Sequence, residues 1–205
     1  TGVPATDLQQ SIMKNVQPIE LYCDGNLVTD CSALGVYDNS YLVPLHLFEF
    51  DFDTIVLGGR QYKKADCEKV EFELEINGDM VSSDACLLRV PTGPKVRNIP
   101  HLFTNEIELK KMTQITGIMN SPHQARTVFF GSFLTVKKSI LTSDGTVMPN
   151  VLSYAAQTSR GYCGAAIVAG SPARIIGIHS AGTGSVAFCS LVSRDALERT
   201  LPQKQ

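Results

Sequence analysis

The sequence predicts an all-β protein made of two successive β halves with a short helix at each end, and three observations carry that prediction. Apolar residues recur in short alternating or continuous runs separated by Gly, Asn and Asp turns. A stretch holding three of the ten prolines, residues 91–100, divides those runs into two groups. Helical spacing is confined to the two ends of the chain.

Taken in order, the segment from Thr6 to Val16 has a Thr/Asp start and apolar residues at 8, 12, 13 and 16, so residues 1–17 read as a short surface helix ended before Pro18. Residues 18–91 read as the first β half. Within it Glu71 to Ile76 alternates strictly, with Phe72, Leu74 and Ile76 on one face, and Asn77-Gly78 supplies a hairpin turn. Residues 92–105, rich in proline, form the interdomain linker. Residues 106–192 form the second β half, with strand-like runs over 127–136, 165–169, 175–179 and 186–192 and a Gly-rich turn at 181–185. The closing segment 193–205 has a Ser193 cap, good helix formers and Pro202 as a stop, so it reads as a short helix and tail. No internal repeat or low-complexity tract interrupts this order.

With 205 residues and 43% hydrophobic content the chain can bury a real core without staples. Its cysteines, Cys23, Cys31, Cys67, Cys86, Cys163 and Cys189, show no C-x-x-C pairing, and several lie in apolar runs where a thiol packs as a small hydrophobe. A reducing compartment is expected, with no disulfide framework. Finger or ribbon spacing is absent, so no metal site and no cofactor is expected. A formal charge of −2 argues against wholesale nucleic-acid binding and leaves only local patches. No apolar run approaches the ~20 residues that span a bilayer, and no charged-then-apolar segment opens the sequence, so a soluble protein with no membrane partner and no export signal of its own is expected.

The most informative stretch is Thr158-Ser159-Arg160-Gly161-Tyr162-Cys163-Gly164-Ala165, a cysteine between two glycines in a turn leading into an apolar strand. Such glycines let the backbone bend until amide N–H groups converge beside the sulfur, as an oxyanion hole requires. A lone cysteine in a tight turn is more often a packing residue, and its company changes that balance. His179 lies on a strand otherwise made of apolar residues. His46 ends the apolar run Tyr41-Leu42-Val43-Pro44-Leu45 where a turn should begin. Asp84 stands just ahead of Ala85-Cys86-Leu87-Leu88, placed to reach inward from the strand's start.

In chain order these are His46, Asp84 and Cys163, with His179 after them. The pattern resembles the 3C-type cysteine proteases of picornaviruses and picorna-like viruses. Gly161-Tyr162-Cys163-Gly164 matches that family's Gly-x-Cys-Gly, and Gly177-Ile178-His179 with Gly182 matches its Gly-x-His-x-x-Gly. Thr158, five residues before the cysteine, stands where the family has its pocket threonine. The run from Asp84 to Pro91 is similar to the Asp-x-x-Leu-x-x-Val-Pro of relatives that use aspartate. Many members carry glutamate there instead, and Asp79 is the second choice for the acid. Glu71, Glu73 and Glu75 are explained as the solvated face of their strand.

The resemblance implies two six-stranded antiparallel β-barrels of the chymotrypsin-like kind, and a viral polyprotein-processing endopeptidase working in the cytoplasm of an infected host cell. Cys163 would be the nucleophile, His46 the general base and Asp84 the group holding the imidazole tautomer. Backbone N–H groups of Cys163 and of Gly161 or Tyr162 would face the oxyanion. His179, Thr158 and Gly182 would form a pocket for glutamine before the cut, and glutamate would be rejected. The sequence ends in Gln205, as a chain released by its own cut would.

Two rival readings remain open at this point. One is a trypsin-like scaffold whose cysteine is idle, which expects an unreactive Cys163. The other is binding of viral RNA, because Lys95-Val96-Arg97-Asn98-Ile99 is similar to the family's Lys-Phe-Arg-Asp-Ile segment, although Val96 removes the stacking aromatic. If Lys95 and Arg97 contact phosphates, replacing both with alanine should weaken RNA retention in a gel-shift assay and flatten its salt dependence; unchanged binding removes the idea.

Overall fold

The computed structural model describes residues 5–106, 114–142, 145–159 and 161–201. Residues 1–4 of the expected first helix, the segment 107–113 of the second half, the Pro202 stop and Gln205 lie outside the described residues.

Helix α1 (Ala5–Met13) leads into strands β1 (Val16–Cys23), β2 (Asn26–Tyr37) and β3 (Ser40–Pro44), then β4 (Thr54–Leu57), β5 (Arg60–Lys63), β6 (Glu68–Val70), β7 (Leu74–Ile76), β8 (Asp79–Val81) and β9 (Ala85–Arg89). After the proline-rich crossing come β10 (Gln114–Met119), β11 (Thr127–Leu141), β12 (Val147–Ala155), β13 (Ala166–Ala169), β14 (Arg174–Thr183) and β15 (Val186–Leu191), closed by α2 (Arg194–Thr200). The helix at the start is shorter than the sequence pattern predicts, because Val16, Gln17 and Pro18 already pair with β2 as the first residues of β1. At the other end Ser193 caps α2 as expected, its hydroxyl accepting from Ala196 N at 3.2 Å.

The two β halves differ in construction. The second is a closed six-stranded barrel in the order β10-β11-β12-β15-β14-β13, sealed where Ile115 faces Ala169. The first is a seven-stranded antiparallel sheet, β5-β4-β1-β2-β3-β9-β6, with β5 and β6 at its edges. Seven strands replace the six expected because residues 54–70 supply three short ones, two of them mostly polar and easily read as loop. The alternating run at 71–76 forms a strand only over its last three residues. Asn77 and Gly78 both adopt positive φ, +51° and +84°, giving the tight turn that joins β7 to β8. This ribbon leaves the first sheet: Leu74 is buried in the barrel's own core, with Phe72, Ile76 and Val81 packed alongside.

Three apolar clusters form the interior. One fills the first sheet (Ile19, Val43, Ile55, Leu88) and one fills the barrel (Ile115, Leu152, Ile167, Leu191). The third is the seam, where Leu34, Leu42 and Leu87 meet Ile118, Val168 and Ile178. Helix α1 adds Leu8 and Ile12 to that seam, so its apolar stripe is docked and only its polar side remains at the surface. Strands β3 and β9 serve both neighbours, Leu42 and Leu87 facing the seam while Val43 and Cys86 face the sheet interior.

Asn15 fastens the start of the chain to this arrangement. It is buried, and its Nδ2 donates to Gly35 O and to Arg97 O, both at 2.8 Å. Asn15→Ala should cost about 1–3 kcal/mol, because two carbonyls inside the fold lose their donor. Urea unfolding monitored by circular dichroism reads that loss directly, and an unchanged midpoint would show that water replaces the amide at no cost.

Candidate active site

Two strand ends of the first sheet bring His46 and Asp84 together. Pro44 at the end of β3 faces Ala85 at the start of β9, so the residues just beyond the register, Leu45 and Asp84, lie side by side, with Leu45 N donating to Asp84 O at 3.3 Å. The chain then turns into a short 3₁₀ helix, Leu45–Glu49, that presents His46 back toward the strand. Asp84 takes hold of it twice: Oδ1 accepts from the backbone N–H of His46 at 2.9 Å, and Oδ2 lies 2.6 Å from Nδ1. Asp84 is buried, and Ser83 beside it donates through Oγ to Leu191 O of the barrel at 2.8 Å. Asp79, the other candidate acid, sits exposed on the β7–β8 ribbon and makes no hydrogen bond or ion pair with His46. Glu71, Glu73 and Glu75 are exposed, as the solvated face requires.

Cys163 comes from the other half. Its loop is held by Gly164 N donating to His179 O (2.8 Å) and by Ser32 N of β2 donating to Cys163 O (2.9 Å). Gly164 has φ +81°, and a Cβ there would come within 1.8 Å of Ser32 O, so only glycine lets the loop lie against β2. The thiol is half-buried, 3.5 Å from Ser180 O, and lines one cleft together with His46, Thr158, Gly161, His179 and Gly182. Gly161 has φ +95°, which turns the backbone ahead of the cysteine. Among the described residues Tyr162 N donates to Ser159 O at 3.3 Å, whereas the N–H groups of Gly161 and Cys163 have no acceptor. Of the two options for the second oxyanion donor, the geometry favours Gly161 over Tyr162.

The two histidines of the cleft are driven in opposite directions. For His46, burial works against the charged form, but hydrogen bonds to Asp84 and to Cys163, with the charges of both, outweigh it and raise the pKa to about 10. For His179, burial dominates and the charge of His46 adds to it, lowering the pKa to about 3. Tyr154 on β12, which the sequence pattern did not single out, places its hydroxyl 2.5 Å from His179 Nδ1. That hydroxyl has no other acceptor among the described residues, so it donates to Nδ1 and leaves the proton of the neutral ring on Nε2. Phe129 and Tyr162 close around the same ring at centroid distances of 6.4 and 6.2 Å. Thr158 is half-buried at the cleft, and a Cβ on Gly182 would lie 2.2 Å from its Oγ1, so the absence of a side chain at 182 keeps the threonine hydroxyl in position.

Lys95 and Arg97 lie on the crossing between the halves, both exposed. Arg97 is tethered, its guanidinium donating to Ser11 O at 2.9 Å and to Ser11 Oγ, while Val96 turns inward against the first sheet's core. All six cysteines are free. Burial raises the pKa of Cys31, Cys189 and Cys86, the last to about 12, and Cys23 and Cys67 are raised as well, by burial and neighbouring carboxylates. Among the described residues the only group of three suited to a cation is Cys23, Asp24 and Asp53 at the surface, away from the cleft lining.

A family model described as 3C cysteine protease (picornain 3C) matches residues 3–184. The genome polyprotein of Theiler's murine encephalomyelitis virus (strain DA) is 26% identical over 202 residues, covering 96% of this chain and 8% of the polyprotein. The chain therefore spans a small part of that relative's length. Among solved structures, the HRV-C 3C protein with rupintrivir superposes with a TM-score of 0.64 at 20% identity, over 91% of this chain and 96% of its own. Catalytically active tobacco etch virus protease complexed with product gives a TM-score of 0.65 at 18% identity, over 93% of this chain and 78% of its own. At these identities the structural likeness speaks for the fold.

The opposite shifts have opposite consequences for stability. The folded pKa of His46 lies above an unfolded value of ~6.5, so its contribution is complete below that pH and is lost as pH rises toward about 10. His179 has a folded pKa below the unfolded one, so the unfolded chain binds the extra proton and stability falls as pH drops from ~6.5 toward about 3. Urea midpoints measured across pH should show His46→Ala flattening the alkaline limb and His179→Gln flattening the acid limb. Limbs unaltered by these substitutions would contradict the assignment.

Proposed function

The chain belongs to the 3C cysteine protease (picornain 3C) family, and on that footing we propose that it cuts viral polyprotein after glutamine through an acyl-enzyme on Cys163. The observation that carries this reading is the meeting, in one cleft, of a Cys163 thiol, a His46 imidazole gripped by Asp84, and a His179 held neutral.

Asp84 on Nδ1 leaves Nε2 of His46 to take the thiol proton as sulfur attacks the peptide carbonyl, and then to return a proton to the departing amine. The second grip, on the backbone N–H of His46, fixes the ring's origin as well as its tautomer. Charge that develops on the carbonyl oxygen is met by the N–H groups of Cys163 and Gly161. Water then attacks the thioester carbonyl and expels the sulfur, restoring the thiol and releasing the carboxylate product. No cofactor enters this scheme.

Preference for glutamine is supported by the proton inventory of the pocket. His179 Nε2–H donates and the Thr158 hydroxyl donates beside it, so the pocket fits a neutral side-chain carbonyl. A glutamate carboxylate would have to leave water for a site whose imidazole stays uncharged until about pH 3. Work in the cytoplasm of an infected cell belongs to the same proposal and is supported by six unpaired cysteines. No observation of comparable weight favours RNA binding through Lys95 and Arg97.

A panel of peptides with Gln, Glu or Asn before the cut, given to native protein and to Cys163→Ala, tests the proposal. Native protein should prefer Gln over Glu by ~10³ or more in kcat/KM, since a pocket built to hydrogen-bond leaves its groups unpaired with the wrong side chain. Tyr154→Phe should erode that preference while sparing the rate of thiol alkylation at Cys163. Turnover by Cys163→Ala equal to native would remove the enzymatic claim, and indifference to glutamine would remove the pocket claim.

A further inference from the structure

A carboxylate–imidazole contact that takes no part in this chemistry spans the seam beside the nucleophile loop. Asp30 on β2 has a side chain only 1% exposed, and its Oδ2 lies 3.0 Å from Nε2 of His123, which belongs to the turn between β10 and β11 of the barrel. The other carboxylate oxygen, Oδ1, is buried with no partner among the described residues. Such a group is costly to bury, and Asp30 stands on the face of β2 opposite the apolar Cys31 and Ala33.

The turn bearing His123 touches both sides of the active site. It is anchored to the first sheet by Asn120 N donating to Ser32 Oγ (2.9 Å) and Asn120 Nδ2 donating to Val16 O (3.2 Å). Ser121 and Gln124 close it with reciprocal backbone hydrogen bonds of 3.1 and 3.2 Å. Its other surface meets Gly161, where an added Cβ would lie 3.2 Å from Ser121 Oγ, 3.3 Å from His123 Cβ and 3.4 Å from His123 Cδ2. The His123 ring is therefore held at one end by a buried carboxylate and forms part of the wall beside the residue that supplies an oxyanion donor. The geometry points to Asp30 and His123 as positioning residues for the proposed reaction: by fixing the 120–124 turn across the seam, they set where the Gly161 N–H points. This rests on the reading of Gly161 as an oxyanion donor given above.

The prediction follows from what each substitution leaves behind. His123→Ala frees the wall beside Gly161 and strands a buried carboxylate with neither oxygen partnered, so both kcat and melting temperature should fall, kcat by about tenfold, less than the loss of a whole oxyanion donor. KM for the glutamine peptide should stay within about twofold, because His123 itself does not line the cleft that holds Thr158 and His179. Affinity for a peptide aldehyde, whose adduct carries an oxyanion, should weaken in parallel with kcat, whereas iodoacetamide, which forms none, should alkylate Cys163 at the native rate. His123→Gln, which retains an N–H donor for Asp30, should recover most of the loss. In Asp30→Asn with His123→Ala the stranded charge is gone, so melting temperature should recover while kcat stays low.

Recovery of kcat together with melting temperature in the double variant would overturn the inference, leaving only a buried-charge penalty. Native kcat and aldehyde affinity in His123→Ala, or equal losses in aldehyde affinity and alkylation rate, would overturn it too. If native protein itself fails to cut the glutamine peptide, the functional reading has failed, an outcome distinct from native turnover with unaffected variants.

Discussion

The segment carrying Cys163 is tied to β2 of the opposite half by one hydrogen bond, from Ser32 N to Cys163 O, and the tie closes only because residue 164 has no side chain. His46 and Asp84 belong to the first sheet, Cys163 and the pocket around His179 to the barrel, so the proposed chemistry depends on how well that crossing is kept. Apolar packing of Leu42 and Leu87 against Ile118 and Ile178 supplies most of the cohesion but no direction. Direction comes from the polar contacts set into it: Ser32 on the loop of the nucleophile, Asn120 on Ser32, and Ser83 on Leu191 beside the acid.

Within the cleft so assembled, the proposed reaction sets the same residue type two incompatible tasks. His46 has to accept a proton and carry charge, and a carboxylate bound at Nδ1 makes that charge tolerable. His179 has to stay uncharged while donating a hydrogen bond, and burial among Tyr154, Phe129 and Tyr162 excludes the cation. Environment separates the two roles, and the charge of the first also disfavours charge on the second.

Much of this was legible in the sequence because reactive side chains stand at strand ends beside residues with special backbones. Gly161-Tyr162-Cys163-Gly164, the histidine closing an apolar run and the acid opening another are local patterns, and the structure gathers them. Choosing Asp84 over Asp79 was not local, since it depends on Pro44 facing Ala85 across a strand pair. Tyr154 gave no signal, because a tyrosine in an apolar run reads as core, and its strand is masked by Pro149 and by Asn150 at φ +52°. Strand β10 was hidden by Gly117, whose bare backbone makes room for the ring of Phe129. Asp30 and His123 lie far apart in the chain, one in a strand and one in an exposed turn, and only the seam makes them neighbours.

The β7–β8 ribbon bears on how the protein comes into being. Leu74 is buried in the interior of a barrel encoded almost wholly by later residues, and Ser83 donates to Leu191, in the last strand of the chain. During synthesis the first sheet can collapse as it leaves the ribosome, with Asp84 set beside Leu45 by the pairing of β3 with β9, but the ribbon has no barrel core to settle on until the later strands follow. Docking of the ribbon, and the contact of Ser83 beside the acid, thus wait for the last strand of the barrel.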